Sequence, residues 1–154
     1  MSALASSGYT TRILGPESFE DIFAFGAIRV YTGAKPATPN MAPTGTLLGT
    51  VTMGGQPWTP ASPGYGLEFT REGPYITRKP GGQWIIDPVA TGLAGWARLL
   101  APGDPGAVAS YTAPRLDFDV NLPGAAGLIF DDKNLIQGQA KTIDTFFFSL
   151  YPVT

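Results

Sequence analysis

Arg115-Leu116-Asp117-Phe118-Asp119-Val120-Asn121 is the cleanest polar–apolar alternation in the chain. Successive side chains of a strand point to opposite faces, so Leu116, Phe118 and Val120 are expected to face a core. Arg115, Asp117, Asp119 and Asn121 are then expected to face water. A strand with one wet face belongs in an antiparallel sheet. Just upstream, Pro102-Gly103-Asp104-Pro105-Gly106 reads as a turn between a strand at Gly95–Leu100 and another at Ala107–Tyr111.

The same period of two runs through much of the remaining chain. Ala27–Thr32 and Leu47–Met53 read as strands, with weaker ones at Leu67–Thr70, Tyr75–Thr77 and Gln83–Ile86, each bounded by Gly or Pro. Ala34–Gly45 holds Pro36, Pro39 and Pro43, and Gly54–Gly66 holds Pro57, Pro60 and Pro63, so both are long loops. Thr142–Tyr151 reads as a closing strand with apolar residues on both faces: Phe146 and Phe148 on one, Ile143, Phe147 and Tyr151 on the other. Such a strand must be covered twice, by two layers of its own domain or by one layer and a neighbouring subunit.

Only Pro16–Phe25 carries a helical pattern. Pro16 suits a first turn, Glu17, Glu20 and Asp21 complement the N-terminal dipole, and Phe19, Ile22 and Phe23 make one apolar stripe. Residues 1–14 have the small, polar composition of a flexible arm, leaving 15–154 as one domain. The 154 residues include 20 glycines and 15 prolines, nearly twice the usual share. With 44% hydrophobic residues this composition favours many short strands joined by turns over a helical bundle or disorder. The expected fold is all-β, an antiparallel sandwich or jelly roll with one short N-terminal helix.

Absences narrow the function. The chain has no His and no Cys, which excludes a Ser-His-Asp triad, a thiolate nucleophile and a cysteine–histidine zinc site. A net charge of −2 lacks the basic footprint of a nucleic-acid partner. No apolar run approaches the ~18–20 residues of a membrane span, and the first residues do not read as a signal peptide. Neither a cofactor nor a metal is expected.

Two acidic groups invite a chemical reading. Asp117 and Asp119, on one face of a strand and about 7 Å apart by strand geometry, overlap the spacing of glycosidase carboxylates. The plainer account makes them the solvated face of an amphipathic strand. Asp131-Asp132-Lys133-Asn134 lacks the spaced ligands of a calcium loop and reads as a polar turn. Trp58 and Tyr65 could serve as a ligand-stacking platform, a subunit contact or a local loop core. Phe19, Ile22, Phe23, Phe147 and Tyr151 are the candidate subunit-interface residues.

Ile28-Arg29-Val30-Tyr31-Thr32-Gly33-Ala34-Lys35-Pro36-Ala37, continued by Ala42-Pro43-Thr44-Gly45-Thr46-Leu47-Leu48, and later Ala90-Thr91-Gly92-Leu93-Ala94-Gly95-Trp96-Ala97-Arg98-Leu99, carry a resemblance. Together they resemble a family of small all-β structural proteins encoded among the virion genes of tailed bacteriophages. The likeness spans roughly residues 22–150. It departs in the Pro-rich stretch Gly54–Pro63 and in Phe146-Phe147-Phe148, where the family has a Thr- and Ser-rich alternation.

The resemblance implies a non-enzymatic virion component of the head-decoration or neck and collar type, assembled in the host bacterial cytoplasm. Implied partners are other virion proteins, a major capsid or neck and tail protein, together with copies of itself. Neither nucleic acid nor a membrane is among them. The alternatives are a neck, collar or tail accessory protein, or a carbohydrate- or receptor-binding module on the particle.

Overall fold

A computed structural model of the chain describes residues 3–62, 64–121 and 126–150. In chain order the elements are β1 (Ala3–Ala5), α1 (Ser7–Ile13), α2 (Phe19–Phe23), β2 (Ala27–Thr32), β3 (Leu47–Met53), β4 (Phe69–Glu72), β5 (Tyr75–Arg78), β6 (Trp84–Pro88), β7 (Gly92–Leu100), β8 (Arg115–Asp119), β9 (Ala126–Ile129), β10 (Asn134–Leu135), β11 (Lys141–Ile143) and β12 (Thr145–Phe148). The large sheet runs β1-β8-β7-β2-β3-β6-β11, with β10 pairing the start of β7; the small sheet runs β4-β5-β12-β9. The fold is an all-β sandwich with short helices, as the alternation predicts.

Aromatic side chains join the layers. Phe118 and Trp84 of the large sheet meet Phe146 of the small one, with ring centroids 6.1 and 5.2 Å apart. Phe69 bridges Trp84 and Phe19, and Phe19 stacks on Phe148 at 4.9 Å. Tyr9 of α1 closes the series against Phe23 at 5.5 Å. Each such contact adds about 0.5–1.5 kcal/mol beyond the area it buries.

This packing corrects two expectations. Phe19, Ile22 and Phe23 are buried in the chain's own core, so they are not available to a neighbouring subunit. Residues 3–13 are likewise not a loose arm. Ala3–Ala5 pairs with Leu116–Phe118, Ser6 caps α1, and Tyr9 is buried. The sequence conceals α1 because Ser7-Gly8-Tyr9-Thr10-Thr11-Arg12-Ile13 has no apolar stripe and a poor helix former inside it. Tertiary contact decides instead. Gly8 lies so close to the backbone of Thr112 and Ala113 that a Cβ would sit 2.3 Å from the Thr112 oxygen. α2 forms on the expected apolar stripe but is shorter than Pro16–Phe25, because a Ser18–Asp21 capping box starts it two residues after Pro16.

Thr142–Tyr151 is not one strand. Its described part breaks at Asp144, where the chain leaves the large sheet after Ile143 and enters the small sheet at Thr145. Phe146 and Phe148 point into the core, and Phe147 lies half-buried on the outer face over Gly127. Tyr151 lies outside the described residues. Ala107–Tyr111, expected as a strand, is loop, and β7 begins at Gly92, three residues earlier than expected.

Candidate interaction face

The large sheet has a second face, turned away from the core. Cross-strand partners share a face, so the register Arg29↔Arg98↔Asp117 and Tyr31↔Trp96↔Asp119 places these six side chains on it. Alternation predicts this side correctly and its environment wrongly. Arg98 and Asp117 are fully buried, as Arg115 nearly is, because two Pro-rich loops, residues 33–46 and 101–114, lie over them.

Arginine forks hold both loops down. Arg98 Nε and Nη2 donate to the two Asp117 oxygens at 2.7 and 2.8 Å, and its Nη1 donates to the Met41 carbonyl at 2.9 Å. Arg115 Nε and Nη2 donate to Asp104 at 2.7 and 2.9 Å, while its Nη1 reaches the carbonyls of Val108 and Pro39. Trp96 Nε1 donates to the Thr44 carbonyl, and Arg29 Nη1 to that of Pro105. The Trp96 indole is thereby fixed between Tyr31, stacked at 4.6 Å, and the Arg98 guanidinium, 5.4 Å from the ring. Arg is suited to this work because its planar fork satisfies a carboxylate and a carbonyl at once.

Both carboxylates of the hydrolase reading are engaged. Asp117 is held by Arg98 and fully covered; Lys35 Nζ sits 2.5 Å from Asp119. Burial pushes the Asp117 carboxyl up, and the Arg98 fork draws it part of the way back. Expected on the solvated side, Asp117 is instead an anchor for the loop above it. Asn121 also turns inward, its side chain bonding the backbone of Phe130 on both sides.

The covering loops leave a surface with a particular composition. Lys35 and Asp104 are the only ionic residues in 33–46 and 101–114, and both are turned inward on ion pairs. Outward stand Met41, Val108 and Tyr111, the last 75% exposed. Backbone bonds place them together: Ser110 N donates to the Asn40 carbonyl at 2.8 Å, and Pro39 and Val108 share the same Arg115 nitrogen. Beside Tyr111 lies a depression of about 440 Å³ lined by Pro102, Pro105, Val108, Ala109, Thr112 and Pro114.

Other candidates fall elsewhere. Trp58 is half-buried and donates through Nε1 to the Phe25 carbonyl at 2.9 Å, at a residue with φ of 63°. Tyr65 is exposed at 53%, and its carbonyl accepts from Met53 N. Asp132 accepts from the backbone and side chain of Asn134, the geometry of a polar turn. A second cavity, about 530 Å³, opens between the helices and the ends of β5 and β12. Among the described residues no cluster could hold a metal ion, and no helix is long and apolar enough to cross a membrane.

Sequence reasoning missed the loop face. One signal was present: Arg98 interrupts an otherwise apolar strand, which demands a buried partner. Comparison with family models, curated proteins and solved structures finds no match.

Proposed function

We propose that this chain is a structural component of a tailed-bacteriophage particle, decorating or cementing the capsid shell by subunit contacts. The sequence resemblance motivates the reading. The observation that carries it is the uncharged loop face: two ordering-costly loops are clamped rigidly by buried arginines, yet display Met41, Val108 and Tyr111 to solvent. A face preorganised in this way loses little further entropy on binding a protein partner. A chain without His or Cys, whose two best-placed acids are bound to cations, is poorly equipped for acid–base chemistry.

The test is the stoichiometry of this protein relative to the shell protein in purified particles. Many symmetric copies per particle support shell decoration; a single small ring moves it to the neck or collar. Absence from particles removes the reading.

A further inference from the structure

We infer that the loop face is a two-fold interface through which the chain pairs with a second copy of itself, the Tyr111 ring of each copy entering the depression beside Tyr111 on the other. The inference rests on the proposed reading only in taking the chain to act by protein contact.

Three observations select a second copy as the occupant. A two-fold interface must be self-complementary, so one patch has to carry both a projection and the recess that receives it. Tyr111 projects at 75% exposure, and the residues flanking it on both sides, Ser110 and Thr112, line the 440 Å³ recess. Knob and socket are therefore neighbours on one surface. The recess walls are mainly Pro, Val and Ala, with the mutually paired Asp104 and Arg115 among them, suited to the face of an aromatic ring.

Charge points the same way. Pairing a surface with itself places like charges together, and the ions here are largely neutralised within the chain: Lys35 is held by Asp119, Asp104 pairs with Arg115 in the wall of the recess, and half-buried Arg29 is turned onto the Pro105 carbonyl. The adjoining α1 surface adds Ser7, Thr10 and Thr11, again uncharged, and Asn40 ties it to the loop through bonds with Ser7 at 3.0 and 2.7 Å. The two loops with this margin approach the roughly 20–30 residues that a standard interface takes from each side. The loops are also rigid enough to present a fixed shape, since both hang on buried guanidinium forks.

The experiment is sedimentation of the full chain over a concentration series, for wild type, Tyr111→Glu and Val108→Glu. Wild type should dimerise, and each glutamate should weaken pairing by about tenfold or more, since it brings a charge into a dry contact on both sides of the axis. Both positions are exposed in the single chain, so far-UV circular dichroism should be unchanged. A wild type that stays monomeric to about 100 μM, or pairing indifferent to both glutamates, overturns the inference. Co-sedimentation with particles separates the two ideas. A monomeric wild type that still binds particles, and loses them with Tyr111→Glu, gives the face to a different protein and overturns self-pairing alone. A dimer that is sensitive to Tyr111→Glu and absent from particles supports self-pairing and ends the particle reading.

Discussion

Arg98 and Asp117 sit directly opposite one another on β7 and β8, joined by two bonds of 2.7 and 2.8 Å, and neither side chain has any exposed surface. They lie on the side of the sheet that faces away from the core. Two loops bury them, and Arg98 holds the one more than fifty residues earlier in the chain by its third donor. Each therefore stabilises the cover that desolvates it.

Asp117→Ala should cost about 3–5 kcal/mol, because it leaves the Arg98 cation buried and unpaired. Arg98→Met with Asp117→Leu should recover most of that loss, since apolar replacements carry no desolvation cost. Urea unfolding of both variants checks the pair. Equal losses in single and double variants would show that the pair itself, and not the stranded charge, sets the stability.

Tyr9→Phe should leave stability unchanged or raise it by about 1 kcal/mol. Among the described residues the buried Tyr9 hydroxyl has no hydrogen-bond partner, and burial pushes its pKa up to about 12. The ring, packed between Phe23 and Phe148, is kept in the variant. A clear loss of stability in urea would mean that the hydroxyl does have a partner.

Gly127→Ala should destabilise by about 1–3 kcal/mol, the range for overpacking. A Cβ there would lie 2.4 Å from Cε1 of Phe147, the residue paired with it across the sheet. Phe147→Ala alone should also cost stability, and in the double variant the alanine at 127 should cost little more. A double-mutant cycle reads this coupling; simple additivity contradicts it.

Acid should loosen the start of α2. Backbone and hydroxyl bonds from Ser18 hold the Asp21 carboxyl below its ordinary 3.8. A depressed folded-state value contributes stability above the unfolded value and loses it as pH falls through the folded one, here below about pH 4. Asp21→Ala should remove that part of the acid limb while leaving Asp132, which bonds Asn134, unaffected. Urea midpoints measured across that range provide the check.

Several elements were legible because their signal is local. Leu47–Met53 is a strand with the predicted boundaries, and α2 carries the expected Phe19, Ile22 and Phe23 stripe, although it begins at Ser18 and leaves Pro16 outside. Residues 3–13 were not legible, since α1 exists through Ser6, which bonds Ala113 and Arg115, and through Gly8 against residues 112–113. Thr142–Phe148 misled for a related reason. Its alternation is real, but a sheet switch at Asp144 leaves no mark in a pattern of period two. At the candidate face, the side on which Asp117 and Asp119 lie was readable, and its covering was not.

The residues alone determined an all-β chain of short strands, the side of β8 on which Asp117 and Asp119 lie, and a lack of imidazole and thiol chemistry. All of these follow from composition and from the two-residue repeat of extended backbone. Only the tertiary structure decided that Phe19, Ile22 and Phe23 are core, that Asp117 is an anchor, and that Met41, Val108 and Tyr111 share one uncharged surface. Periodicity reports which way a side chain points; what meets it there depends on loops brought back from far along the chain, and closing those loops is a property of the whole fold.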